Sequence, residues 1–168
     1  MDKNAILNDK VMPFPLLDIV MRIIKADPWW RSMSMDEVNE FLRRPLLLRL
    51  AFMDRDLYPI VHPLWFIYKE GIFYLETHKA SKKARLLRDD GRVYFLVDEV
   101  VDGKPRGVRG KGNALIIDDA ELAREIMVEQ VIKYLGSADK QLSRRLIDSS
   151  KDNVVVKVEP LAFATWIA

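Results

Sequence analysis

The 168-residue chain carries 27 lysines and arginines against 25 acidic residues, with two histidines and no cysteine. Its length suits one domain that buries about two-thirds of its unfolded surface without staples, a net charge of +2 gives no footing to a nucleic-acid binder governed by overall charge, and the missing thiols exclude disulfides, thiolate metal sites and a cysteine nucleophile. Two histidines are thin material for a metal centre, no uncharged run is long enough to span a bilayer, and the amino end has no signal-type apolar core, so a cytoplasmic protein without membrane or nucleic-acid partners is expected.

Residues 1–33 form an arm. Leu16, Leu17, Ile19, Val20, Ile23 and Ile24 fall on one face of a helix predicted after Pro15, with Asp18, Arg22 and Lys25 mostly opposite. Asp27-Pro28-Trp29-Trp30 breaks that pattern, and the arm reads as a pad on the main domain, residues 34–168, or on a partner subunit. Ser34-Met35-Asp36-Glu37 is a capping box that opens a helix with Val38, Phe41 and Leu42 inward, ended by Pro45.

Dense apolar runs follow. Leu46–Met53 predicts a strand, Asp54-Arg55-Asp56 a turn, and Tyr58–Tyr68 a second strand whose prolines belong at an edge, a start or a bulge. Lys69-Glu70-Gly71 turns the chain into a third strand from Ile72. That strand leaves through Thr77, His78, Lys79 and Ala80 into a short helix begun by Ser81-Lys82-Lys83-Ala84-Arg85. A helix start offers free N–H groups and partial positive potential, here joined by two hydroxyls and three full charges. Such a run is either a phosphate seat or a cationic first turn left in solvent.

Val93–Val97 predicts the next strand, Asp102-Gly103 a hairpin, and Arg106–Ile117 an antiparallel return. Glycines at 107, 110 and 112 mark a bulge, a sharp bend, or the close approach of a ligand or another backbone. Asp118-Asp119 begins a helix closed by Gly136, Ala138–Ile147 forms another, and Asn153–Ile167 returns to strand. Six strands in hairpin-connected runs with inserted helices predict a mainly β, α+β architecture: a small antiparallel barrel rather than a parallel α/β sheet. No acid–base or nucleophile–base spacing marks a catalytic side chain.

From Ser34 onward the chain resembles the flavin-binding split barrel family, which includes pyridoxamine phosphate oxidases and related flavin or deazaflavin oxidoreductases. The resemblance runs through Arg49-Leu50-Ala51-Phe52, His62-Pro63-Leu64-Trp65-Phe66, Thr77 with Ser81-Lys82-Lys83, Arg109-Gly110-Lys111-Gly112-Asn113-Ala114 and Val156-Lys157-Val158-Glu159-Pro160 with Trp166. It implies a six-stranded antiparallel split barrel, bound FMN or alternatively a deazaflavin coenzyme, and a homodimer with cofactor sites between subunits. Thr77, Ser81, Lys82 and Lys83 would contact the cofactor phosphate, and His62, Pro63, Leu64 and Trp65 would lie along its ring. Arg49 and Arg109 are candidates for secondary phosphate or ribityl contacts, and Trp166 would be structural or approach the flavin of the partner. The implied activity is electron or hydride transfer to a small-molecule substrate, the alternative being non-catalytic flavin binding or storage. After Trp166 the chain lacks the arginine-containing tail of true pyridoxamine phosphate oxidases, which implies a substrate other than vitamin B6.

Overall fold

A computed structural model of the chain describes residues 22–168. Its elements, in order, are β1 (Arg22–Lys25), α1 (Met35–Arg43), β2 (Leu48–Met53), β3 (Pro59–Leu64), β4 (Ile67–Lys69), β5 (Ile72–His78), α2 (Lys82–Asp89), β6 (Arg92–Val101), β7 (Lys104–Ile117), α3 (Ala120–Leu135), α4 (Gln141–Ser149), β8 (Asn153–Pro160) and β9 (Ala162–Ile167). Local signals set many of the ends. Ser34 Oγ accepts from the Glu37 N–H at 3.2 Å while the Glu37 carboxylate accepts from the Ser34 N–H at 2.8 Å, which starts α1 as its capping box requires. The β4–β5 turn places Glu70 and Gly71 at φ 53° and 78°, and the β6–β7 turn places Asp102 and Gly103 at 50° and 76°. Both pairs have the left-handed geometry whose twist matches a two-residue hairpin.

The sheet runs β3-β2-β6-β7-β8-β5-β4, with β9 also paired to β7 and β1 lying parallel on β9. The consecutive strands β3 and β4 thus occupy opposite ends of the path, and the break at Trp65 and Phe66 carries the chain between them. This is the mainly β split barrel expected, with one difference: nine strands among the described residues rather than six. The expected strands at 58–68 and 153–167 are each divided, and Ile23 and Ile24 lie in β1 rather than in a helix; the helix expected over Leu16–Val20 lies outside the described residues.

The division at Trp65 is imposed from α3. Lys133 Nζ donates to the carbonyls of Phe66 and Leu42, each at 3.0 Å. The Tyr134 hydroxyl donates to the Leu46 carbonyl at 2.6 Å and accepts from the Phe66 N–H at 3.1 Å. Side chains therefore satisfy backbone groups that a continuous strand would have paired. Burial pulls the Lys133 ammonium down to about 7, while the ring face of Phe66, 3.6 Å away, favours its charged form.

Inside the roll, Phe73, Phe95 and Phe163 meet edge to face or tilted, with ring centroids 4.9–6.2 Å apart, and Phe66 joins them against Phe73. Helix α3 covers the outer face of β8, so Val154, Val155 and Val156 are buried in succession. The glycines of β7 answer to neighbouring chain rather than to a bend. A Cβ at Gly110 would collide with the Ala162 carbonyl oxygen and lie 2.7 Å from Phe95 Cζ, and one at Gly112 would lie 2.7 Å from the Glu159 carbonyl oxygen.

Candidate functional site

Strand β5 alternates strictly: Phe73, Leu75 and Thr77 point inward while Tyr74 and Glu76 point out. Thr77 is therefore buried at the inner mouth of the strand, one loop before α2. That loop is pinned at both ends. Lys79 N–H donates to the Asp152 carbonyl and Lys79 Nζ to the Asp152 carboxylate, both at 2.9 Å. His78 Nδ1 accepts from the Ala80 N–H at 3.1 Å and the His78 carbonyl from the Ser81 N–H at 2.9 Å. Ser81 caps α2, its Oγ accepting from the Ala84 N–H at 3.0 Å and sharing a 3.0 Å hydrogen bond with Thr77 Oγ1. The N–H groups of Lys82 and Lys83 stand in the first turn, where no intrahelical partner exists.

The two lysines do not act as a doublet. Successive helix positions are about 100° apart, and here Lys82 is exposed while Lys83 is half-buried. Burial lowers the Lys83 pKa, and its positive charge helps burial lower that of His62. The charge of Lys83 thus reaches His62, whose ring is stacked on Phe52 at 5.7 Å. Neither lysine forms an ion pair among the described residues, although eleven such pairs occur elsewhere. A half-buried ammonium with no carboxylate, on the same first turn as a capping hydroxyl and open N–H groups, has chemistry that an anion would complete.

A second feature is an open sheet face. Cross-strand register aligns Val61, Ala51, Tyr94 and Lys111 in one row and Pro63, Arg49, Leu96 and Arg109 in the next. Trp166 lies over Gly107 on the same face, where a Cβ would strike its indole, and the Arg109 guanidinium sits 5.9 Å from that ring. Arg49, expected as a secondary anion contact, is paired with Asp98. The described helices pack elsewhere: α1 against β4, α3 against β4, β5 and β8, and α4 on α3, while α2 buries its leucines in the core. Val61 and Tyr94 accordingly remain 58% and 46% exposed.

The ten residues singled out in the sequence fall into five places. Thr77 and Ser81 meet at the seat, with Lys83 on the first turn of α2 and His62 within reach of its charge; Lys82 lines a groove with Asp54, Arg55, Asp56, Arg85 and Leu86; Pro63, Arg109 and Trp166 lie on the open face. Leu64 packs against the core, and Trp65 stacks parallel on Tyr134 at 4.7 Å amid Met127, Val131 and Ile147. Three polar residues with structural consequences escaped the sequence reading: Lys133, Tyr134 and Glu76. Both Glu76 carboxylate oxygens are sealed from solvent without a hydrogen-bond partner. The clue lay in Val154-Val155-Val156, apolar on both faces, which signals that β8 and its neighbour β5 are covered outside as well as inside.

Among the described residues no cluster could hold a metal ion, and no helix is long and apolar enough to cross a membrane. A phosphate-bearing flavin fits what is present: the seat suits its anion, and the open face offers tyrosine, proline, leucine and tryptophan for one side of a flat ring.

Comparison with known proteins converges on one group. The model of the pyridoxamine 5'-phosphate oxidase family matches residues 34–167. A conserved hypothetical protein from Mycobacterium tuberculosis superposes with a TM-score of 0.73 at 26% identity, over 85% of this chain and 89% of that one. A FAD-binding protein from Mesorhizobium loti has a TM-score of 0.61 at 22% identity, covering 83% and 99% of the two chains. An F420 reductase has a TM-score of 0.61 at 22% identity, covering 75% and 94%. Among curated proteins, none matches the chain.

Proposed function

Because the chain belongs to the pyridoxamine 5'-phosphate oxidase family, we propose that it is a flavin- or deazaflavin-dependent oxidoreductase that works as a homodimer, two copies facing each other through the open sheet. The observation that carries this reading is Lys83: half-buried, without an ion pair, and set beside Thr77, Ser81 and the first-turn N–H groups of α2. Burying an ammonium is costly without an anion to meet it, so the site makes sense once a phosphate is supplied. Its structural neighbours include a FAD-binding protein and an F420 reductase, which supports the reading.

When bound, the cofactor would exchange a hydride or electrons with a small substrate, chemistry the protein itself lacks. The chain's own residues bind, orient and exclude water. Lys83 neutralises the phosphate, the Lys82 and Lys83 N–H groups donate to its oxygens, and Thr77 and Ser81 hold the seat in shape. The row of Pro63, Leu96 and Arg109 with Trp166 gives the ring one wall, and a second copy gives the other. His62, held toward its neutral form by burial and by Lys83, is placed to hydrogen-bond rather than to repel.

The test is direct. Purified protein should show a flavin spectrum, or take up flavin or deazaflavin when titrated. Lys83→Met should weaken retention about 10- to 100-fold, the worth of one charge-assisted hydrogen bond of roughly 1.5–3 kcal/mol. Its folding stability should hold or rise, since a half-buried charge is removed. Unchanged retention in this variant would remove the assignment of the seat.

The dimer has its own expected result. Tyr94→Glu places a charge in the middle of the open face, where the native residue is about half exposed in one copy. Light scattering should report a dimer for the native chain and a monomer for the variant, and cofactor should be lost with the interface. A native chain that is monomeric at micromolar concentration would contradict the reading.

A further inference from the structure

We infer that Glu76 is a pH-sensitive latch on the loop that shapes the start of α2: when its carboxyl loses a proton, α3 and the 3-10 turn Ser150–Asp152 part from β5, and residues 78–81 are released. The latch acts on how the seat is held, whichever anion the seat takes. Register fixes where Glu76 lies. It stands opposite Val155 on β8, which stands opposite Ile117 on β7. Val155 packs with Ala123 and Ile126 of α3, and Tyr74 and Ile117 lie against them. The carboxylate thus belongs to the apolar face that α3 covers, and both of its oxygens are sealed from water without a hydrogen-bond partner. Such a group is tolerated while neutral; as an anion it must be hydrated or paired.

Among the described residues no charged group on the surrounding elements meets it. On β5, His78 is exposed and accepts from the Ala80 N–H. On β8, Lys157 is paired with Glu159, and Asn153 draws the carboxyl back only in part. Glu121, Arg124 and Glu125 of α3 are exposed, as is Lys151, while Asp152 is paired with Lys79. Burial therefore dominates and pushes the Glu76 carboxyl up to about 8. The route from this acid to the seat is short. Thr77 follows it directly in the strand, and the turn packed on α3 carries Asp152, whose carbonyl and carboxylate both hold Lys79. Hydrating the Glu76 anion requires α3 to lift from β5. The turn packed on α3 moves with it, and the two contacts to Lys79 that pin the loop are lost.

Native-state hydrogen exchange of the full chain at pH 5.5, 6.5 and 7.5, corrected for the intrinsic rate, tests this. The closed protein keeps a proton that the exposed carboxyl releases at about 4.5, so closure is favoured at low pH and that preference erodes until pH passes 8. Amides of residues 79–85, of residues 150–153 and of the first two turns of α3 should open as one unit, faster than those of β6 and β7, with an opening constant that rises about 10-fold per pH unit. In Glu76→Gln the same amides should change less than about 3-fold across the range, because the titration is gone. Opening of these residues only together with β6 and β7, native opening that ignores pH, or a glutamine variant that keeps the native pH profile would each overturn the latch. Should the variant not fold, the pH response of the native chain and its separation from β6 and β7 decide the matter.

Discussion

Glu76→Gln is expected to leave stability at pH 5 nearly unchanged and to raise it by roughly 3 kcal/mol at pH 9. Burial pushes this carboxyl up to about 8, with Asn153 near enough to draw it partly back without completing a hydrogen bond. The folded protein therefore keeps a proton that the unfolded chain releases at about 4.5. Stability from the neutral carboxyl is complete below that value, erodes as pH climbs, and is gone once pH passes 8. Each unit of difference is worth about 1.4 kcal/mol, and the partial exposure of the residue as a whole trims the total toward 3. Glutamine keeps the shape and removes the titration. Urea unfolding of both proteins at pH 5, 7 and 9 measures it, and parallel stability profiles across that range would contradict the expectation.

Gly110→Ala is expected to cost about 3 kcal/mol or more, lowering the melting temperature by roughly 10 °C. Its conformation is not left-handed, so strain in φ is not the cause. The added carbon would meet the Ala162 carbonyl, which is backbone, and Phe95, which lies at the centre of the aromatic cluster. Neither yields without moving β9 or the core. Gly103→Ala is the informative control: φ there is 76° but nothing lies within 4 Å, so only the left-handed penalty of about 1–2 kcal/mol applies. Equal melting temperatures for the two variants would show that the contact at Gly110 relaxes easily.

What the sequence revealed and what it hid divide along the range of the interactions. Ser34 with Glu37, Asp102-Gly103, Asp119 and Gly136 act on their immediate neighbours, and each sits at the boundary it was expected to set. Ile23 and Ile24 suit a helix face or a strand equally, and the choice was made by β9, with Ile23 opposite Phe163. Likewise Tyr58–Tyr68 is an unbroken run of strand formers, and only Lys133 and Tyr134, far along the chain, explain why it parts at Trp65. Pro160, by contrast, was a local hint that the last strand would divide. At the site, the Thr77-to-Lys83 run was legible because its residues are consecutive. The divergence of Lys82 from Lys83 follows from helical geometry that the spacing already contained. The open face was not legible, since it is assembled from four strands whose register is set by the whole sheet.

The parallel pairing of β1 with β9 also bears on how the molecule is made. The residues of β1 precede every other described strand in the chain, yet their partner, residues 162–165, belongs to the last of them. β1 must therefore wait, unpaired, while β2 to β8 assemble, and docks only when β9 closes onto β7. Such a sequence-distant closure is slow, which makes the docking of β9, rather than the pairing of β2 to β8, the step at which the edge carrying Trp166 and strand β1 becomes fixed.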